Sequence, residues 1–302
     1  MKINFQNMIG AIYGVITLIC LVISTTFCFV PIFFLGLLKL IPNQRWSIFC
    51  TKGIDKMCVL WTGIAATYVK QMYPTKLNIS GDISLDNQQW YLVIANHQSW
   101  LDIMVLQHVF HRKIPVLKFF IKEQLKWLPL FGFAWWAMGC PFMKRYSKEY
   151  LDKNPHKKNL DTQSTYKSLK LFRSYPSSIM SFVEGTRFTA QKKQYQNSPY
   201  QYLLKPKAGG ISLMIGAMKN QLQPIVDATI VYPHAHYSLW DFLTRRIKRI
   251  EIHLRSIPIP ETFIAPEVSL EEVAMQDQFR SWLNGQWATK DVLISELKQK
   301  MV

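Results

Sequence analysis

From Ile3 to Leu38 the chain carries no charged side chain, and Ile9–Leu38 is almost wholly apolar. A membrane-crossing helix needs about 20 such residues, so this run is longer than one crossing requires. Pro31 lies inside it, and a proline lacks the N–H that a helix interior uses, which predicts a kink or break there. Two arrangements fit: one tilted span followed by an interfacial helix, or a helical hairpin dipping into one leaflet. A cleaved signal peptide fits poorly, because its apolar core is typically ~7–15 residues and no A-x-A site follows. Lys39, Arg45, Lys52 and Lys56 come next. If the segment spans, that basic bias places the remainder in the cytoplasm.

Beyond an anchor at residues 1–42 the pattern changes. Residues 43–75 read as a connecting helix, with Ile48, Cys58, Leu60 and Trp61 among its apolar positions, ended by Tyr73-Pro74. From 76 to 302, short apolar runs alternate with helical periodicity, which indicates an α/β domain. Strands are expected at Leu77–Ser80, Trp90–Ala95, Ile114–Lys118, Ser178–Val183, Ile225–Val231 and Ile250–Ile257. The second is a continuous apolar run, the mark of a strand buried on both faces. Helices are expected from about Trp100 to His111, over Asp161–Ser174 and around Gly210–Gly216, with helix or turn over Lys122–Trp136. Gln191–Lys193 and Asn197-Ser198-Pro199 read as loop. A C-terminal helix opens at Ser269-Leu270-Glu271-Glu272, a capping-box pattern. Trp100, Trp135 and Trp136 can line an acyl tunnel or lie at the membrane interface, but such residues are more often core and read as core here.

Charge sharpens the picture. The chain has 302 residues and a net charge of +17, from 36 Lys+Arg against 19 Asp+Glu. Between Arg112 and Arg173 stand 14 basic and 4 acidic residues, a balance of +10. Such an excess suits a polyanion, either nucleic acid or an anionic membrane surface. The apolar N-terminal run and the lack of a nucleic-acid motif favour the membrane and exclude nucleic acid as partner. Five cysteines, with no C-x-x-C, define neither a disulfide framework nor a zinc site. The histidines show no H-E-x-x-H or comparable spacing, so no metal site is expected. The sequence leaves the oligomeric state open.

Two motifs carry chemistry, each at the end of an expected strand, where α/β proteins place their sites. The first is Asn96-His97-Gln98-Ser99-Trp100-Leu101-Asp102. With His97 in the turn and Asp102 in the first helical turn, the carboxylate can fix the imidazole tautomer. The other ring nitrogen is then free to take a proton from a hydroxyl. Ser99-x-x-Asp102 is also a capping-box pattern, under which Asp102 only caps the helix. The second motif is Phe182-Val183-Glu184-Gly185-Thr186-Arg187-Phe188. Gly185 permits a tight turn, Arg187 can hold a phosphate bidentately, and Glu184 is placed to orient that guanidinium. No G-x-S-x-G elbow accompanies these motifs, which counts against the rival reading of a membrane-bound lipid hydrolase.

Together, Asn96-His97-x4-Asp102 and Glu184-Gly185-Thr186-Arg187 resemble the motifs of the glycerolipid acyltransferase family, which makes phosphatidic acid from lysophosphatidic acid. Lys122-Glu123-Gln124-Leu125-Lys126-Trp127-Leu128-Pro129-Leu130-Phe131-Gly132 with Met143-Lys144-Arg145, and Pro224-Ile225-Val226, resemble two further family blocks in the same order. The resemblance covers roughly Trp90 to Tyr232. It implies a mixed sheet flanked by helices behind an N-terminal helical membrane anchor. It implies that His97 is the general base and Asp102 its partner. It assigns Glu184, Gly185, Thr186, Arg187, Lys122, Arg145 and Asn96 to substrate binding. The implied substrates are a lysophospholipid acceptor and acyl-CoA or acyl-acyl carrier protein as donor, with no cofactor. Val183, where many members have Pro, resembles a subgroup that includes bacterial inner-membrane members and lysocardiolipin-type enzymes. That implies an inner-membrane location and keeps other anionic lysophospholipids open. Tyr146–Ser174 reads equally as a basic flap toward anionic lipid or as a solvated helix.

Overall fold

The computed structural model describes residues 5–73, 75–143, 172–218, 221–222, 224–234, 237–265 and 273–301. The expected flap at Tyr146–Ser174, the helix at Asp161–Ser174 (but for its last turn) and the Ser269 cap fall outside those residues. Helix α1 runs unbroken over Phe5–Leu38, through Pro31. Cys28 and Ile32 are buried on either side of that proline, so packing holds the turns that it weakens. Helix α2 covers Gln44–Met72, and the Asn43 side chain caps it by accepting from Trp46 N at 3.1 Å. The hairpin is therefore not inside residues 1–42 but between α1 and α2. Trp46 Nε1 donates to Leu38 O and Trp61 Nε1 to Thr25 Oγ1, both at 3.0 Å, while Thr17 meets Tyr68 at 3.1 Å. That pairing is antiparallel.

One face of α1 packs against the protein at both of its ends. A Cβ on Gly10 would stand 2.7 Å from Thr244 O, and one on Gly36 2.7 Å from the Phe133 ring. The opposite face is apolar and open: Ile19, Val22, Ile23, Phe27 and Phe34 are each more than half exposed.

A six-stranded sheet forms the centre. Its strands are β1 (Lys76–Ser80), β2 (Tyr91–Ala95), β3 (Leu117–Phe119), β6 (Ser178–Phe182), β7 (Ile225–Val231) and β8 (Arg249–Ile257), in the spatial order β1-β8-β7-β2-β6-β3. Only β7 and β8 pair antiparallel. A separate two-stranded sheet joins β4 (Ile121–Lys122) to β5 (Phe142–Met143). Strand β3 begins three residues later than expected from Ile114, because Ile114 still closes the turn onto Phe110 O and Pro115 follows. Helices cover both faces, so the fold is a mixed α/β sheet flanked by helices.

The alternation in β2 shows how the sheet is buried. Leu92 and Ile94 face α6 (Gly209–Met218) and the C-terminal α9 (Val273–Gln299); Val93 and Ala95 face α3 (Leu101–Val109). Burying a side chain of this size stabilises by about 1.5–3 kcal/mol. Short helices α4 (Phe131–Ala137), α5 (Ala190–Tyr195), α7 (Leu239–Leu243) and α8 (Glu261–Ile264) complete the layers. Helix α5 occupies Gln191–Lys193, expected as loop, because Thr189 accepts from Lys192 N and caps it.

Candidate active site

Parallel pairing brings three strand ends together. Ala95, the last residue of β2, pairs with Phe182 at the end of β6 and with Ala228 in β7. The two motifs therefore emerge side by side, with the end of β7 on their other flank. His97 Nδ1 lies 2.8 Å from Asp102 Oδ2. That oxygen also accepts from Gln98 N at 2.6 Å and Ser99 N at 2.9 Å. Oδ1 accepts from Tyr232 OH at 2.6 Å. With three donors already converging on a fully buried carboxylate, the His97 proton belongs on Nδ1 and the lone pair on Nε2. Asp102 thus holds the turn that leads into α3, through Gln98 N and Ser99 N, together with the His97 ring, whereas Trp100, at the N-cap of α3, has no side-chain cap.

The motifs are laced to each other. Glu184 Oε1 accepts from His97 N at 3.0 Å and Oε2 from Leu204 N at 2.8 Å. Phe188 N donates to His97 O at 2.7 Å. The Phe182 ring stacks on the imidazole with centroids 3.9 Å apart and planes inclined by 13°. Backbone and ring of His97 are therefore held from the second motif, while Asp102 sets the tautomer.

Two expected ligand contacts have other work. Glu184 is completely buried and makes no ion pair with Arg187, so it fixes the His97 backbone instead of orienting a guanidinium. Burial pushes its pKa up to about 8 against the pull of the two N–H donors. Asn96 is also completely buried; its side chain donates to Ile230 O at 2.8 Å and accepts from Ile230 N at 2.9 Å, splicing β2 to β7. Neither side chain is open to a ligand.

Arg187 is exposed, with its guanidinium carbon 5.0 Å from the Trp100 ring centroid. Trp100, expected in the core, is 60% exposed and serves as that platform. Gly185 turns at φ 71, a left-handed conformation that glycine adopts readily. Thr186 Oγ1 accepts from Lys192 Nζ at 2.7 Å, and the same ammonium reaches Arg187 O at 3.0 Å. Lys122 is exposed at the end of β4 and, among the described residues, makes no hydrogen bond or ion pair with the His97 cluster. Arg145 lies outside the described residues. Tyr232 and Lys192 are site residues that the motifs did not name, and Phe182, inside the second motif, is given no role of its own by it. Tyr232 was hidden because strand order, which sets β7 beside β2, cannot be read from spacing.

A family model described as Acyltransferase matches residues 76–236, more than half of the chain. The chain is 24% identical to the 1-acyl-sn-glycerol-3-phosphate acyltransferase epsilon of Mus musculus over 264 residues, covering 80% of this chain and 67% of that one. It is 29% identical to the 1-acyl-sn-glycerol-3-phosphate acyltransferase of Saccharomyces cerevisiae over 143 residues, covering 47% and 43%. Among solved structures, the 1-acyl-sn-glycerophosphate (LPA) acyltransferase PlsC from Thermotoga maritima superposes with a TM-score of 0.54 at 15% identity, covering 97% of each chain. That likeness is one of fold.

Proposed function

The chain belongs to the acyltransferase family, and from that premise we propose that it moves a fatty-acyl group from a thioester to the free hydroxyl of a lysophospholipid. The observation that carries the reading is the His97–Asp102 pair, laced by Glu184, Phe182 and Phe188 to the loop that bears Arg187. His97 Nε2 takes the proton of the acceptor hydroxyl as its oxygen attacks the thioester carbonyl. The tetrahedral intermediate collapses, the C–S bond breaks, and the imidazolium returns the proton to the departing thiolate. Asp102 stabilises the imidazolium between those steps. Arg187, steadied on Trp100, receives the acceptor phosphate with Gly185 and Thr186, while Lys122 and Arg145 supply further anion contacts. The scheme requires no metal or cofactor.

The acceptor we assign is 1-acylglycerol-3-phosphate, giving phosphatidic acid, which the names of the relatives support. The Phe182-Val183-Glu184 form favours a second reading, in which another anionic lysophospholipid is acylated. The donor is acyl-CoA or acyl-acyl carrier protein. We assign residues 1–42 to a membrane anchor, 43–75 to a helical connection and 76–302 to the acyltransferase domain, on the cytoplasmic side of an inner membrane. The long apolar α1, with its open outer face, supports the anchor.

The deciding experiment is acyl transfer by membranes carrying the protein, with labelled acyl-CoA and lysophosphatidate. His97→Ala is expected to lower kcat by ~10²–10⁴-fold. Arg187→Ala is expected to raise the acceptor KM. Equal activity of wild type and His97→Ala overturns the assigned base. An unchanged acceptor KM in Arg187→Ala removes Arg187 from phosphate binding. Turnover only with a different lysophospholipid selects the second reading.

A further inference from the structure

Between β4 and α4 the chain projects an apolar knob. Trp127 is 81% exposed, Leu130 64%, Phe131 56% and Leu128 45%. Large apolar side chains so exposed and so contiguous mark a surface that meets something other than water. Leu130 is held at φ 63, a conformation that side chains beyond glycine rarely adopt. Gly132 lets the knob close, since a Cβ there would stand 2.0 Å from Lys126 O.

Most of the knob's backbone N–H groups, though not that of Leu130, are bonded within the knob. Leu128 N donates to Leu125 O at 3.1 Å, Phe131 N to Pro129 O at 2.7 Å and Gly132 N to Leu128 O at 2.8 Å. Pro129 has no N–H to satisfy. Hydrocarbon offers no replacement hydrogen bonds, so a segment that enters it must satisfy its own.

Position and charge name the occupant. Helix α4 seats the knob against the C-terminal end of α1: the rings of Phe133 and Phe33 lie 5.2 Å apart, and Lys39 Nζ donates to Ala137 O at 2.8 Å. The open apolar face of α1 continues there through Val30 and Phe34. Lys122 and Lys126 are exposed at the base of the knob. An apolar tip on a basic collar complements an anionic lipid surface, with Trp at the level of the headgroups.

We propose that Trp127–Phe131 is a second lipid-inserting element, entering an anionic bilayer surface beside α1. This rests on the reading that α1 meets the bilayer. The test uses the full chain reconstituted in vesicles of phosphatidylcholine and phosphatidylglycerol, comparing wild type with Trp127→Phe. That exchange replaces one exposed ring by another and leaves the fold intact. Vesicle flotation reports whether the chain is bound at all. The wild-type-minus-variant tryptophan emission reports Trp127 alone. The expected difference emission is quenched several-fold more by lipids brominated in the acyl chain than by aqueous iodide. Stronger quenching by iodide, in a chain that still floats, overturns the knob and leaves α1 untouched. Quenching by neither, with cross-linked dimers in the same vesicles, overturns it in favour of a second copy covering the knob. Failure to float overturns the membrane reading, and the knob with it.

Discussion

Tyr232 and His97 share one carboxylate: the phenol donates to Asp102 Oδ1 at 2.6 Å, and the imidazole Nδ1 meets Oδ2 at 2.8 Å. Tyr232 is buried, and both burial and the neighbouring carboxylate raise its pKa, so it remains a donor. The hydroxyl thus fixes the rotation of the carboxylate that in turn fixes His97. Tyr232→Phe removes one donor from a buried acceptor and frees that rotation. The expected result is a drop of about tenfold in kcat, equivalent to ~1.4 kcal/mol, with the acceptor KM unchanged. In a His97→Ala background the same exchange is expected to change nothing further. A steady-state double-mutant cycle on the four proteins measures this, and additive losses would assign Tyr232 to stability alone.

Glu184 predicts a pH dependence of stability. Its pKa rises from 4.5 in the free group to about 8 on burial, so between those values the folded chain holds a proton that the unfolded chain has released. Stability contributed by that proton is complete below pH 4.5 and declines as pH rises toward 8. Glu184→Gln keeps a polar group of the same shape and cannot ionise. The difference in unfolding free energy between the two proteins is expected to change steadily across that window, by on the order of 1 kcal/mol or more. Denaturant titrations at three pH values read it directly. A pH-independent difference would show that Glu184 is ionised throughout.

Much of this was legible in the chain. Ile225–Val231 is a strand at its expected bounds, because a buried strand shows as an unbroken apolar run. His97 and Asp102 meet because the turn after β2 and the first turn of α3 are local geometry. What depends on distant pairing was not legible. Nothing near Glu184 shows that its carboxylate binds the His97 and Leu204 backbones, since that follows from β2 and β6 lying side by side. The family resemblance sets Asn96 among the substrate-binding residues, yet its partner Ile230 lies on a strand whose place in the sheet spacing does not give. Pro31 misled for the same reason: the packing that keeps α1 unbroken comes from other elements.

Lys118 ties the helical pair to the sheet. It is buried on β3, and its ammonium reaches Asp55 on α2 at 3.2 Å and Tyr175 OH at 2.5 Å. Lys118→Met fills the space and leaves the Asp55 carboxylate largely buried without its cation. Breaking one side of such a pair costs about 3–5 kcal/mol. A loss of that size in thermal or denaturant unfolding is expected, and the added change Asp55→Leu should recover part of it. A double variant no better than Lys118→Met would mean that the charge pair is not what Lys118 provides.

Lys290 makes a stronger demand, because both partners are sealed. It sits in α9 with no exposed surface, and its ammonium lies 2.5 Å from Asp227 Oδ1 and 3.0 Å from Ala228 O. Arg255 holds the other Asp227 oxygen at 2.8 Å and extends to Gln286 O at 2.9 Å. The C-terminal helix is thereby bonded to β7, the strand whose end presents Tyr232, and Lys298 Nζ adds a contact to Tyr232 O at 3.3 Å. Lys290→Met leaves Asp227 with one cation instead of two and is expected to lower stability by ~3 kcal/mol or more. Lys290→Gln keeps a donor for Asp227 but loses the charge, so its loss should be smaller. Helix α9 meets the site through Lys298 at Tyr232 and through the Lys290 charge near Glu184. Those two residues hold His97 and its partner and are given no part in acceptor binding, so whatever folded protein survives in either variant should keep its acceptor KM at low temperature. Unfolding curves and initial rates on the same preparations separate the two effects. A raised acceptor KM with normal stability would instead place Lys290 within reach of the substrate.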